Sequence, residues 1–132
     1  MSSNEIVERY EQCWVERDTA GMVACFAPGG TYNAPGADHL HGAAIADFAS
    51  VFFTACPDST YEWEIVAVDG DVVAAKWRFS GTMTGPLLDI APTGGRASAR
   101  GAHILRLVGN QLASVEAYWD NQDFFAQLGI KN

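Results

Sequence analysis

Asp120 and His103 are the residues whose types and settings could move a proton. Asp120 closes the stretch Val115-Glu116-Ala117-Tyr118-Trp119-Asp120, where two bulky aromatics run into a carboxylate, and Asn121-Gln122-Asp123-Phe124-Phe125 behind it reads as the start of a helix. At a strand's end facing an aromatic pocket, desolvation raises an acid's pKa and poises it as general acid and base near neutral pH. The competing reading is a helix N-cap: an Asp there accepts a backbone N–H and favours the positive helix end, which lowers the pKa instead. Asn121 could take the capping role in its place. His103 shares an expected strand face with Gly101 and Leu105, so it points to the apolar side. There it could orient Asp120, donate to a substrate oxygen, or be a satisfied core histidine.

Around this pair, Trp14, Tyr32, Trp63, Trp77 and Tyr118 form an aromatic set able to line a cavity for flat, multi-ring or extended carbonyl compounds, or else plain core. Strand parity groups Tyr118 with Asp120 and sets Trp119 opposite, unless a bulge intervenes. Other chemistries lack their parts. Asp38-His39-Leu40-His41 resembles a metal cluster but has no clear third ligand elsewhere, so no metal site is expected. Pro92-Thr93-Gly94-Gly95 has neither the spacing nor the following helix of a phosphate loop. There is no GxSxG elbow, and Cys56 before Pro57 lacks the electropositive setting of a reactive thiolate.

The elements that must position these residues are legible as changes of period. Ser2 and Glu5 have capping-box spacing, and Ile6, Tyr10, Cys13 and Trp14 recur at helical intervals. A short second helix from Asp18 or Thr19 should carry Met22, Val23 and Phe26 inward and stop at Ala27-Pro28-Gly29-Gly30. Thr31–Ala34 reads as a short strand and Pro35–Gly42 as a loop. Ile45, Phe48 and Phe52 mark a third helix ending before Pro57. From Thr60 the period becomes two: Tyr61, Trp63 and Ile65 alternate with Glu62 and Glu64, and Asp69-Gly70-Asp71 turns the chain into Val73, Ala75, Trp77 and Phe79. A longer connection leads to a second hairpin, Ala97–Val108 and Leu112–Trp119 about Gly109-Asn110, and a last helix holding Phe124, Phe125 and Leu128 is stopped by Gly129. This is an α+β order, with helices covering one face of a curved, largely antiparallel sheet. Lys76, Arg78, Arg100 and Arg106 fall on the other face, which suits water or a subunit contact.

A chain of 132 residues fits a single domain, 1–132. Hydrophobic content of 48% against 18% charged leaves apolar surface for a cavity or a subunit interface, so a homo-oligomer is expected. A net charge of −8 with only eight Lys and Arg argues against a nucleic-acid partner and against acidic membranes. No apolar run has transmembrane length and the first residues lack signal-peptide character, so a cytoplasmic location is expected. Cys13, Cys25 and Cys56, odd in number and without CxxC spacing, imply neither disulfides nor zinc.

Phe26-Ala27-Pro28, Tyr32-Asn33-Ala34-Pro35-Gly36, Leu40-His41-Gly42, Gly81-Thr82-Met83-Thr84-Gly85-Pro86, Pro92-Thr93-Gly94 and Tyr118-Trp119-Asp120 followed by Gln127-Leu128-Gly129 together resemble the SnoaL-like polyketide cyclases of the nuclear-transport-factor-2-like superfamily. The resemblance spans nearly the whole chain. It implies a cone-shaped α+β barrel with a deep apolar cavity, paired through the sheet into dimers or higher oligomers, and no cofactor. It also implies that Asp120, at the position of the family's general acid and base, promotes intramolecular aldol closure of a hydrophobic, carbonyl-rich substrate. Many relatives carry His in the segment that reads Gly81-Thr82-Met83 here, so Met83 leaves the site one polar group poorer. The superfamily also holds isomerases, dehydratases, epoxide hydrolases and non-catalytic binding domains, which stay as alternatives. Epoxide opening would want an Arg near the base, and Arg100 and Arg106 have the opposite strand parity to His103.

Overall fold

Ser2 opens the first helix as its spacing predicts: its hydroxyl accepts the Glu5 N–H at 3.2 Å while Glu5 Oε1 accepts the Ser2 N–H at 3.1 Å. In the computed structural model, which describes residues 1–131, this helix, α1, runs Ser3–Glu16 and buries Ile6, Val7, Tyr10, Glu11, Cys13 and Trp14. The short α2 follows at Thr19–Ala24, capped by the Asp18 carboxylate on the Gly21 N–H. After β1 (Phe26–Ala34) and β2 (Ala37–Leu40) comes α3 (Ala43–Ala55), and then β3 (Thr60–Asp69), β4 (Val72–Thr82), β5 (Arg96–Val108), β6 (Gln111–Trp119) and α4 (Asn121–Leu128). Both expected hairpin turns form, with Gly70 and Gly109 in the left-handed conformation that such turns ask of a residue without a Cβ.

Two local expectations change. Ala27-Pro28-Gly29-Gly30, read as a helix stop, belongs to β1, and part of the expected loop 35–42 is the strand β2. Glycine and proline concealed both, because β1 is irregular where they fall: its pairing with β6 skips between Phe26 and Thr31.

The strands form one six-stranded sheet in the order β2-β1-β6-β5-β4-β3, antiparallel except for the parallel pair β1 and β6. The order has two ends, so the expected cone-shaped barrel is corrected to an open mixed sheet. Closure would require β2 to bond β3. Instead β2 is a four-residue edge, while α1 lies against β3 and β4 and fills the inner face with its apolar stripe.

Alternation holds along the long strands. Val73, Ala75, Trp77 and Phe79 of β4 and Ala97, Ala99, His103, Leu105 and Leu107 of β5 are buried beneath the helices, while Lys76, Arg78, Arg100 and Arg106 face outward as expected. On that outer face Arg78 sits directly opposite Arg100, and Lys76 lies 3.9 Å from Glu64 in an exposed ion pair. At the chain's end α4 is fastened to β5 by the Gln127 side chain, which accepts the Ser98 N–H at 2.8 Å and donates to the Ser98 carbonyl at 3.0 Å. Among the described residues no helix is long and apolar enough to cross a membrane.

Candidate active site

Register decides which side chains meet. His103 pairs with Ala75 on β4 and Ala117 on β6, and Gly101 pairs with Trp77 and Trp119, so His103, Trp77 and Trp119 share the inner face. Trp14 and Glu11 descend onto them from α1, Phe48 and Phe52 from α3, Tyr32 from β1, Tyr61 from β3 and Phe124 from α4. The result is a cleft walled almost wholly by aromatic rings, with His103 at its polar end. About 400 Å³ of space lies between these side chains, solvent at the mouth included, yet only about 30 Å³ is free for the centre of a water molecule. That is room for a water or two. A larger ligand enters only if rings swing aside.

At the polar end is a group that sequence reasoning did not single out. Glu11 has no solvent exposure, and both carboxylate oxygens are taken: Oε1 accepts from the Tyr61 hydroxyl at 2.6 Å, and Oε2 lies 2.7 Å from His103 Nδ1. A carboxylate so buried is tolerated only with such partners. His103, 1% exposed, is packed among Tyr10, Trp14, Tyr32 and Trp77 with ring centres 5.6–6.5 Å away. Since a carboxylate only accepts, the Nδ1 that faces it is the protonated nitrogen, and the tautomer this bond selects has its lone pair on Nε2. Nε2 has no hydrogen-bond partner among the described residues. Burial, then the charge of Glu11, pushes the Tyr61 hydroxyl well above its ordinary pKa, so it stays a donor to Glu11. The signal for Glu11 was present in the sequence: it stands four residues after Val7 and three before Trp14, inside the buried stripe of α1.

The named candidates separate accordingly. His103, Trp14, Tyr32 and Trp77 line the cleft. Asp120 does not: it is exposed, precedes α4 as its N-cap, and accepts the Asp123 N–H at 2.9 Å. Asn121, the other candidate cap, accepts instead from Trp119 Nε1 at 3.0 Å. Tyr118, 55% exposed, faces outward and donates to Glu116 at 2.7 Å, while Trp119 takes the inward place expected for Tyr118. The bulge between Arg106 and Leu107 in the β5–β6 pairing sets that phase. Trp63 is half-buried outside the cleft, and Met83 is fully buried away from it, its sulfur accepting from the Thr93 hydroxyl at 3.5 Å. His41 turns its Nδ1 toward the Gly30 carbonyl at 3.2 Å, and among the described residues no three His, Cys, Asp or Glu converge as metal ligands would.

An α+β sheet roofed by helices over an aromatic cleft defines a small-molecule-binding, enzyme-like domain. Residues 4–128 match the family profile of the SnoaL-like polyketide cyclases, and the chain belongs to that family. No curated protein matches the sequence. Among solved structures the chain is similar to a candidate SnoaL-like polyketide cyclase from Jannaschia sp. CCS1, at 19% identity over 98% of this chain and 93% of that one, with a TM-score of 0.85. It is also similar to TsrD from Streptomyces laurentii, at 22% identity over 97% and 95% of the two chains with a TM-score of 0.80. A third is an NTF2-like protein from Burkholderia thailandensis, at 22% identity over 99% of each chain with a TM-score of 0.79. At these identities the likeness establishes the shared fold.

Proposed function

We propose that this protein is a cofactor-independent, polyketide cyclase-like enzyme in which His103, rather than Asp120, transfers the proton. The observation that carries the reading is the buried Glu11–His103 bond at 2.7 Å, with Nε2 unbonded at the polar end of an aromatic cleft. Glu11 holds the imidazole in one tautomer and stabilises the imidazolium that forms, which is the office of the carboxylate in a carboxylate–histidine pair. A hydrophobic compound rich in carbonyls enters between the rings. Nε2 takes a proton from a carbon flanked by two carbonyls, the enolate attacks a second carbonyl of the same molecule, and His103 returns the proton to the resulting alkoxide. Folding the substrate into a reactive geometry within the cleft contributes much of the acceleration. The same dyad could serve an isomerase or dehydratase. Epoxide hydrolysis is less favoured, since Arg100 and Arg106 lie on the outer face, away from the base.

The test is deuterium uptake from heavy water into benzoylacetone, an aromatic compound with a carbon between two carbonyls. Wild type should accelerate exchange above buffer, His103→Phe should abolish the acceleration, and Asp120→Asn, which keeps a capping side chain, should retain it. Full exchange in His103→Phe, or its loss in Asp120→Asn with the fold intact, would return the role to Asp120 or remove it from the cleft.

A further inference from the structure

We propose that the Tyr32 hydroxyl is the donor that holds a substrate carbonyl oxygen in the cleft while His103 takes the neighbouring proton, a role that rests on His103 as the base. Buried polar groups nearly always have partners. Tyr32 is 1% exposed and lines the cleft. Among the described residues the hydroxyls of Tyr61 and Tyr118 are hydrogen-bonded and that of Tyr32 is not. Three other partnerless side-chain atoms, Tyr10 Oη, Trp14 Nε1 and Trp77 Nε1, are sealed from water completely. Tyr32 Oη is not one of these, so the trace of surface that Tyr32 keeps includes its oxygen, and it opens on the cleft.

Register brings Tyr32 to His103. Tyr32 pairs with Val115 on β6, and Val115 with Leu105 on β5, the inner-face neighbour of His103 along that strand. The two rings meet edge to face with centres 6.5 Å apart, and Trp14 and Phe48 also pack on the phenol, at 6.5 and 5.4 Å. The free space among these side chains has room for only a water or two, so one small oxygen-bearing group placed there is within reach of both Tyr32 Oη and His103 Nε2. Other donors are committed: Tyr61 donates to Glu11, Trp119 donates to Asn121, and the Trp14 indole N–H is turned to the Tyr10 hydroxyl. No Lys or Arg lines the cleft, so an anionic group would enter without a counter-charge. A neutral carbonyl oxygen only accepts, and it suits a phenol O–H.

The C–H bond beside the carbonyl breaks, its proton goes to His103 Nε2, and its electron pair delocalises onto the carbonyl oxygen, where the hydrogen bond from Tyr32 strengthens as charge develops. Burial, then the charge of Glu11, pushes the Tyr32 hydroxyl above its ordinary pKa. The phenol therefore keeps its proton and serves as a donor rather than as a second base. Return of a solvent-derived proton to carbon restores the ketone.

The probe is 1-tetralone, a flat bicyclic ketone, labelled with carbon-13 at the carbonyl and set against tetralin, the same skeleton without oxygen. Bound to wild type, its carbonyl stretch in the infrared should fall below its position in hexane, and Tyr32→Phe, which keeps the ring and removes the hydroxyl, should return it toward that position. Tyr32→Phe should weaken 1-tetralone binding about tenfold, the value of one hydrogen bond, and leave tetralin binding within about twofold. In deuterium uptake by benzoylacetone the same variant should lower kcat about a hundredfold. Absence of saturable 1-tetralone binding, a carbonyl band unmoved by Tyr32→Phe, or an equal loss of affinity for both bicyclic probes would overturn the proposal. A lowered carbonyl band in wild type that catalyses no exchange keeps Tyr32 as the donor and sinks only the proton-transfer reading of His103, whereas exchange at full kcat in Tyr32→Phe sinks the donor and spares His103.

Discussion

Glu11 is a carboxylate without contact to water, and its energetics follow from its two bonds. Its hydrogen bonds offset a desolvation that would otherwise cost several kcal/mol, and removing one member of such a buried set costs about 3–5 kcal/mol because the survivors stay buried and unpaired. Glu11→Ala should therefore unfold the protein readily and says little about chemistry. Glu11→Gln is the informative change, because its amide still offers an acceptor to one partner and a donor to the other. It should fold, with a melting temperature lower by several degrees, and should slow proton exchange by about a hundredfold or more, since the imidazole is no longer pinned with its lone pair on Nε2. Heteronuclear spectra of the imidazole nitrogens give the tautomer directly. Glu11→Gln with full exchange activity would reduce the carboxylate to packing.

At the scale of elements, α4 begins where β6 ends, and Asp120 is the joint. Asp120→Ala should lower stability by about 1 kcal/mol through loss of the cap on the Asp123 N–H, and thermal melting should find Asp120→Asn nearer wild type. Gly101 makes a second joint. A Cβ there would collide with the Trp77 ring, so β5 carries a bare position that lets Trp77 lie across it. Gly101→Ala should cost about 1–3 kcal/mol by overpacking and push the indole into the cleft, read as lost binding of flat ketones. How much of this was legible depended on whether the signal was local. The capping box at Ser2, the periodic helices, the period-two strands and both turns are local, and so was the inward parity of His103. The parallel pairing of β1 with β6 and the open ends of the sheet depend on contacts distant in sequence. Trp119 rather than Tyr118 faces inward because of a bulge, and no residue type announces a bulge. Glu11 escaped notice because a charged residue on a helix ordinarily reads as solvated; only its company in the stripe of Val7, Tyr10 and Trp14 marked it.

For the whole molecule, the inner face concentrates groups that resist ionisation. Burial pushes Tyr10 and Tyr61 well above the ordinary 10.0 and Tyr32 upward as well; among the thiols it raises Cys25, takes Cys13 to about 12 and takes Cys56 to about 11, against an ordinary 9.0. In each case the folded pKa exceeds the unfolded one. Below pH ~9 both states hold these protons and the contribution to stability is complete. As pH climbs, the unfolded chain releases protons that the folded state retains, so unfolding gains about 1.4 kcal/mol per pH unit for every group ionised only when unfolded. The thiols act first and the tyrosines join above pH ~10. Urea midpoints should thus be level from pH 7 to 8.5 and fall steeply between 9 and 11. A net charge of −8 adds self-repulsion that also grows with pH, but moderate salt screens it while leaving burial untouched. The decline should therefore persist in 0.5 M sodium chloride, and Tyr32→Phe should make it shallower above pH 10. A midpoint that stays level to pH 11 in salt would mean that these side chains meet water in the folded protein, and the closed aromatic cleft would go with them.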